Sequence, residues 1–526
     1  MWKDQHRTII GDLPRIHARR HHGSVAYIDG ARTLSWGELD DRVNRLAHGL
    51  ADRFGVRAGD RVAILANNCF QFPEVVFTSS RLGAISTGLN TRHHVNEMIA
   101  QMVDSGSKLL VVGEGFDDVG AEIVAKTDAE ILFISGGDYE QLIKTSDSTE
   151  IAPHGDADAP YALTYTSGTT GEPKGAMITS AGEIAYAQSL AWAAESRRED
   201  VCLIVTPMFH KGGQFSMMHP AYLGLPSIIV RTPDPDTIFE AIEVHRATCA
   251  VFVPTIMQML VDARGRDANA GRDISSIRHI LYGSNPISVE LLRAFAEMFR
   301  CSLSQIGGVG TEGGIALVLD RLDHEAALAD PSVAHRLRSC GRVQAGFEMR
   351  IVDEDDQDVA AGEVGEMVFR GNSFIPGYWN RPEQSDRLWR GGWLHSGDIG
   401  RVDEDGYVYY VDRKAGRIKS GGETVYAREV EAVIRQHRSI REVCVTGIPH
   451  RTWGEAVSAV VEAVPGHTVD SEELSAFVRE HLAGYKVPKR ITVVDELPRT
   501  ALGKIAVGEV KLMAQRAAEG DPRWNI

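Results

Sequence analysis

The chain has 526 residues, 43% of them apolar and 24% charged, and its 56 basic and 72 acidic side chains leave a formal net charge of −16. At about 150 residues per domain this allows three or four folding units with large buried cores, and the composition excludes collagen-like, coiled-coil and disordered classes. The negative balance disfavours nucleic acid and anionic lipid as partners, so a polyanionic ligand has to be held by a local site.

Six cysteines, Cys69, Cys202, Cys249, Cys301, Cys340 and Cys444, show no CxxC spacing. That argues against a zinc site or a disulfide framework and for reduced, mostly buried thiols. The N-terminus has no apolar signal-like region, and no run of about 18 apolar residues follows. The expectation is a cytoplasmic protein without membrane insertion.

In chain order, the first feature is the basic cluster Arg15, His17, Arg19, Arg20, His21 and His22, which reads as the solvated face of a helix. Ser35-Trp36-Gly37-Glu38 is a capping box, and Leu39, Val43, Leu46 and Leu50 share one face of the helix it starts. Apolar runs at 60–65, 108–112, 201–205 and 227–230 predict buried strands with helices between them, as a parallel α/β sheet requires. After about residue 340 the pattern changes to short strands at 345–352, 365–370 and 406–411, joined by Gly- and Asp-rich turns. Beyond Asp412 a smaller α+β unit is predicted, with helices at 427–437 and 472–482. The charged, glycine-containing stretch Arg413-Lys414-Ala415-Gly416 reads as a hinge. The expected fold class is α/β. A large multi-subdomain N-terminal domain over 1–412 has mostly parallel sheets plus a distorted small β region, and a small mobile α+β C-terminal domain covers 413–526.

The stretch most informative about chemistry is Thr164-Tyr165-Thr166-Ser167-Gly168-Thr169-Thr170-Gly171-Glu172-Pro173-Lys174-Gly175. Small residues let the backbone turn tightly, so that N–H groups and hydroxyls converge beside a lysine, an inventory suited to a triphosphate. It is not a Walker loop, because Pro173 precedes the lysine and Gly175 follows it. Apolar triplets at 161–163 and 176–178 bracket it and predict a hairpin or strand pair, which a flexible linker has no need of.

This stretch resembles the signature of the adenylate-forming superfamily, which includes acyl-CoA synthetases, firefly luciferases and nonribosomal adenylation domains. Further similar motifs follow in the family's order, from about Ser35 to Ile505. The resemblance implies phosphate contacts from Thr166, Ser167, Gly168, Thr169, Thr170, Gly171 and Lys174. It implies Mg²⁺ held by Glu312, with Thr166, beside Thr311. Pro207-Met208-Phe209-His210, with Gly212-Gly213-Gln214, is similar to the motif that places a histidine, here His210, near the substrate carboxylate. Gly283-Ser284-Asn285-Pro286 resembles the adenine-side loop, and Val253-Pro254-Thr255 a wall of the acyl tunnel, which Phe209, Phe215 and Gly307 would also shape. Gly392-Trp393-Leu394-His395-Ser396-Gly397-Asp398 resembles the ribose segment; an ionised Asp398 can accept from both ribose hydroxyls. Arg413 would also reach the nucleotide. Ser420-Gly421-Gly422-Glu423 resembles the glycine loop for the pantetheine arm of CoA, with Lys419 beside it. Leu497-Pro498-Arg499-Thr500-Ala501-Leu502-Gly503-Lys504 is similar to the last motif, whose lysine, here Lys504, is catalytic.

Two places depart from the family pattern. Gly308 and Val309 stand where an aromatic residue and a glycine are usual, which implies a roomier or shifted adenine or substrate pocket. Ala415-Gly416 replaces a charged pair in the hinge.

The activity implied is ATP-dependent activation of a fatty or aryl acid to an acyl-adenylate, then thioester formation with CoA. ATP, Mg²⁺ and CoA are the cofactors, and a small carboxylic acid is the substrate. A carrier-protein thiol or an amine could serve as acceptor instead, and nitrite could be the activated acid in a diazotase-type reaction. A non-catalytic nucleotide-binding regulator is a further possibility, which the joint presence of Lys174, Glu312, Asp398, Arg413 and Lys504 argues against. A homodimer is left open.

Overall fold

Short apolar strands alternating with helices along the first 340 residues assemble into two mostly parallel sheets. The computed structural model describes residues 7–152, 155–167, 173–265, 267–284, 287–413, 417–498, 505, 507–519 and 521. Contacts divide the chain into two units. One comprises 1–91, 99–165 and 175–412, and the other 92–98, 166–174 and 413–526.

In the first unit, one sheet runs in the order Arg342–Val343, Ile315–Leu319, Ser302–Gly308, His279–Gly283, Cys249–Phe252, Cys202–Ile204, Ser227–Ile229, Val25–Asp29, Arg32–Ser35. Its central strands, from Ser302–Gly308 to Val25–Asp29, are mutually parallel, and antiparallel strands close both edges. A second sheet has the order Glu130–Phe133, Leu109–Val112, Arg61–Leu65, Ile85–Gly88, Pro160–Ser167, Pro173–Thr179. The predicted strands thus form, and the strands at the ends of the 164–175 motif are neighbours. A small antiparallel sheet of Phe347–Val352, Gly365–Gly371, Trp393–Val402, Trp389–Arg390 and Val408–Arg413 is the predicted distorted β region.

The capping box forms as the sequence predicts. Ser35 Oγ accepts from Glu38 N–H at 3.2 Å and Glu38 Oε2 accepts from Ser35 N–H at 2.8 Å, starting helix Trp36–Arg53. Leu39, Val43, Leu46 and Leu50 on it are fully buried.

The basic cluster needs a correction. Arg19, Arg20 and His21 are exposed on helix Leu13–His21, but His17 is not. Its ring packs at a tilt against Trp36, centroids 4.7 Å apart, and Nε2 lies 2.9 Å from the Ala221 carbonyl. Arg15 is drawn down by Asp12, at 2.6 Å, and Glu150, at 3.1 Å. The patch is therefore mostly solvated, as read, with His17 the exception because the helix turns that side onto Trp36.

Three other histidines, His219, His279 and His324, are buried, and burial pushes each imidazole down to about 4. Unfolded histidine titrates near ~6.5, so between those values the unfolded chain binds more protons, and stability falls as pH drops through that window. Each such histidine contributes a slope of at most about 1.4 kcal/mol per pH unit. His324 is held by Tyr282 Oη at 2.7 Å and the Asp320 carbonyl at 2.8 Å. His324→Gln is expected to flatten the decline of the urea midpoint between pH 6.5 and 4 by about one proton; an unchanged slope counts against a neutral buried imidazole there.

All six cysteines are free, and Cys202 and Cys249 face each other on neighbouring strands with their sulfurs 3.1 Å apart. Among the described residues no helix is long and apolar enough to cross a membrane.

In the second unit, strands Glu423–Tyr426, Arg417–Ser420, Gly454–Ala463 and Ile440–His450 form an antiparallel sheet, and Arg490–Val494 adds in parallel to Gly454–Ala463. Helix Ser471–His481 matches the prediction, whereas the helix expected to reach His437 ends at Ile434, where turns set in. Lys486, 1% exposed, is held between the carboxylates of Glu97 and Glu429. Segment 92–98 joins this unit although it lies more than 300 residues upstream in sequence.

Candidate active site

Parallel strands end with unpaired backbone groups at one edge, which is where α/β sheets hold ligands. Strand His279–Gly283 and its parallel neighbour Ser302–Gly308 end together, in register at Gly283 and Ile306. Gly283 is required there, because a Cβ would lie 2.2 Å from the Ile306 carbonyl oxygen. Ser284, exposed, follows with φ +76°, a left-handed turn away from the sheet.

Gly308 stands at a bulge with φ +153°, and a Cβ would meet the Gly314 carbonyl oxygen at 2.2 Å. The place of the family's aromatic ring is thus taken by backbone, a packing reason for the departure seen in the sequence. Val309 is buried beside it.

The chain then enters the 3-10 turn Gly310–Glu312. Thr311 is half-buried and Glu312 buried, and Tyr378 Oη donates to Glu312 Oε1 at 2.8 Å. A fixed carboxylate with hard oxygens suits Mg²⁺, which keeps waters and takes the remaining ligands from phosphates.

Asp398, 5% exposed, lies on strand Trp393–Val402, where Gly397 turns with φ +67° and Ser396 Oγ accepts from the Asp398 N–H at 3.0 Å. Cys340 links it to the strand ends. Its Cβ lies 3.7 Å from where Gly307 would carry one, and its thiol is pushed up to about 11, chiefly by burial with the Asp398 charge adding to it.

His210 caps helix Lys211–Leu223, its Nδ1 accepting from Gly212 N–H at 3.3 Å. Phe215 in that helix stacks on Tyr186 at 5.4 Å. Next to His210 sits a feature the sequence reading missed. Lys211 and Glu183 form a buried ion pair at 2.5 Å, with the ammonium 4.9 Å from the Tyr186 ring centre. A charged residue opening a largely buried helix was the only signal in the sequence.

Tyr378 was missed too; nothing in the spacing of Gly377-Tyr378-Trp379 separates it from a turn residue. Thr166 and Lys174 are half-buried on strands Pro160–Ser167 and Pro173–Thr179 and group with the second unit. Gly168, Thr169, Thr170, Gly171 and Lys504, with Ala415 and Gly416, lie outside the described residues, as do the side chains of Ser167 and Arg413.

In the second unit Gly421 and Gly422, φ +60° and +84°, form the two-residue turn between Arg417–Ser420 and Glu423–Tyr426. The Trp453 ring packs so closely that a Cβ on Gly421 would be 2.6 Å from it, and Gly421 N–H donates to the Trp453 carbonyl at 2.9 Å. Lys419 N–H donates to Glu455 at 3.0 Å.

Comparison with known families decides the identity. Residues 15–379 match the model of the AMP-binding enzymes, and residues 429–504 match that of their C-terminal domain. The chain belongs to the adenylate-forming superfamily of AMP-binding enzymes. Feruloyl-CoA synthase of an Amycolatopsis species is 34% identical over 504 residues, 95% of this chain and 98% of the relative. The fatty acid–[acyl-carrier-protein] ligase ScoC of Streptomyces coeruleorubidus is 30% identical over 502 residues, 94% of each chain. Among solved structures, the amide bond synthetase McbA of Marinactinospora thermotolerans is similar with a TM-score of 0.86 and 28% identity, covering 97% of this chain and 100% of that one. The α/β architecture read from the sequence is the architecture of this superfamily.

Proposed function

We propose that this AMP-binding enzyme is an ATP-dependent, AMP-forming acid–CoA ligase acting on an aryl or fatty acid. One observation carries the reading: a buried Glu312, held by Tyr378, stands at the strand ends of the large sheet in a chain matched along 95% of its length by a CoA ligase.

In the first half-reaction a carboxylate oxygen attacks the α-phosphorus of ATP. The bond from that phosphorus to the bridging oxygen breaks, and pyrophosphate leaves with the bond electrons. Lys174 and the hydroxyls of 166–170 bind the phosphates, and Asp398 accepts from the ribose hydroxyls. Glu312, with Thr166, would hold Mg²⁺, which neutralises phosphate charge when bound. Lys504 offsets negative charge as it develops between acid and phosphate. In the second half-reaction the CoA thiolate attacks the acyl carbonyl carbon and AMP departs. We assign the binding of ATP and acid to the domain of 1–412, and to 413–526 the exchange of Lys504, used in the first half-reaction, for the loop at Gly421 and Gly422, a motion of the kind that gates turnover.

A second reading keeps the adenylate and changes the acceptor. The similarity to McbA and ScoC, an amide synthetase and a carrier-protein ligase, favours it over activation of nitrite. The test is pyrophosphate release with ATP and Mg²⁺ across fatty acids, aryl acids and nitrite, each with and without CoA. Release with an aryl or fatty acid and thioester only with CoA is the expected result. Release without thioester moves the acceptor to an amine or carrier thiol, and response to nitrite alone overturns the carboxylic acid.

A further inference from the structure

Glu312 is gripped by one segment, 373–381. The two residues after it, Gly313 and Gly314, press so closely on Phe374 and Ser373 that a Cβ at either would lie 2.0 Å from them. Ile375 N–H donates to the Glu312 carbonyl at 2.9 Å, and Tyr378 Oη donates to its carboxylate at 2.8 Å. The same segment then lies along strand Pro173–Thr179. Met177 N–H donates to the Gly377 carbonyl at 3.1 Å, Trp379 N–H donates to the Gly175 carbonyl at 2.8 Å, and Ala176 and Tyr378 form an antiparallel bridge. Further on, Arg381 bonds Asp104 at 2.7 Å, and the other Asp104 oxygen accepts from Tyr165 Oη at 2.7 Å. The Tyr165 ring covers Gly175, 3.1 Å from where its Cβ would be.

We propose that Tyr378 is a positioning residue for adenylation: with its backbone clamped to strand Pro173–Thr179, its hydroxyl fixes the rotamer of the Glu312 carboxylate. The choice of a phenol has a physical reason. It orients a carboxylate without cancelling its charge, whereas an arginine or lysine at the same place would compete with a cation for it. Fixing the rotamer in advance removes the ordering cost when Mg²⁺ and the phosphates arrive. Sequence separation of 66 between the partners explains why no local pattern reveals the bond.

The inference rests on Glu312 being the magnesium-side carboxylate, so Glu312→Gln is measured beside Tyr378→Phe. Calorimetry compares binding of MgATP with binding of ATP in excess EDTA, and steady-state assays give kcat and the acid KM. Tyr378→Phe is expected to weaken MgATP binding about tenfold, the worth of a hydrogen bond to a charged group, with EDTA–ATP binding and acid KM unchanged. Ser385→Ala removes the acceptor for the Tyr378 N–H, at 2.9 Å, and serves as the structural control. It is expected to lower the melting temperature without altering the ratio of the two ATP affinities. If Tyr378→Phe changes that ratio no more than Ser385→Ala does, while Glu312→Gln abolishes it, the positioning role is overturned and Glu312 stands. If Glu312→Gln leaves the ratio unchanged, the metal assignment itself fails.

Discussion

Replacing Lys504 by alanine is expected to lower acid-dependent pyrophosphate release by about two to three orders of magnitude, the cost of losing one donor aimed at developing transition-state charge. A carboxylate is a weak nucleophile and the α-phosphate is surrounded by negative oxygens, so their approach concentrates charge that only a cation placed there relieves. The proposed role lies in the transition state and not in ground-state binding, so the loss should fall on kcat. Thioester formation from a supplied acyl-adenylate should proceed near the parent rate, since the proposed mechanism gives that half-reaction to the loop at Gly421 and Gly422. Parent-rate adenylation by Lys504→Ala would remove the lysine from the mechanism.

Replacing Lys211 by methionine is expected to destabilise the large unit by about 3–5 kcal/mol, because it strands the Glu183 carboxylate, 1% exposed, without its cation. Glu183→Gln alone strands the ammonium and should cost a similar amount. The double variant Glu183→Gln/Lys211→Met removes both charges and should recover most of the loss, since the desolvation penalty disappears with the pair. Urea unfolding followed by tryptophan fluorescence measures the three. Equal losses in the double variant and the sum of the singles would mean that the two side chains are not coupled. Acid KM in the double variant is informative as well, because the pair adjoins His210 and the Phe215–Tyr186 stack.

Residues that act through their immediate chain neighbours were legible. The capping box at Ser35 needs only a hydroxyl and a carboxylate three positions apart, and the strand at Arg61–Leu65 needs only a short apolar run. The glycine turn at 421–422 belongs to the same class. Glu312 and Asp398 were singled out by motif resemblance alone, and the structure adds what surrounds them, a tyrosine 66 positions later and a buried strand turn. His17 was misplaced because its basic neighbours dominate the local pattern, while its packing partners, Trp36 and the Ala221 carbonyl, lie 19 and 204 positions away.

By itself, the sequence determined the class of fold, the family and the order of its motifs, because periodicity, capping and tight turns are local and each motif keeps its chemistry within a few residues. Only the tertiary structure decided which groups meet across the chain. Tyr378 reaches Glu312, Lys211 is buried against Glu183, and the Gly314 carbonyl occupies the place of a side chain at 308. Those outcomes depend on how helices, turns and strands pack against one another in three dimensions, and one-dimensional spacing holds no record of that.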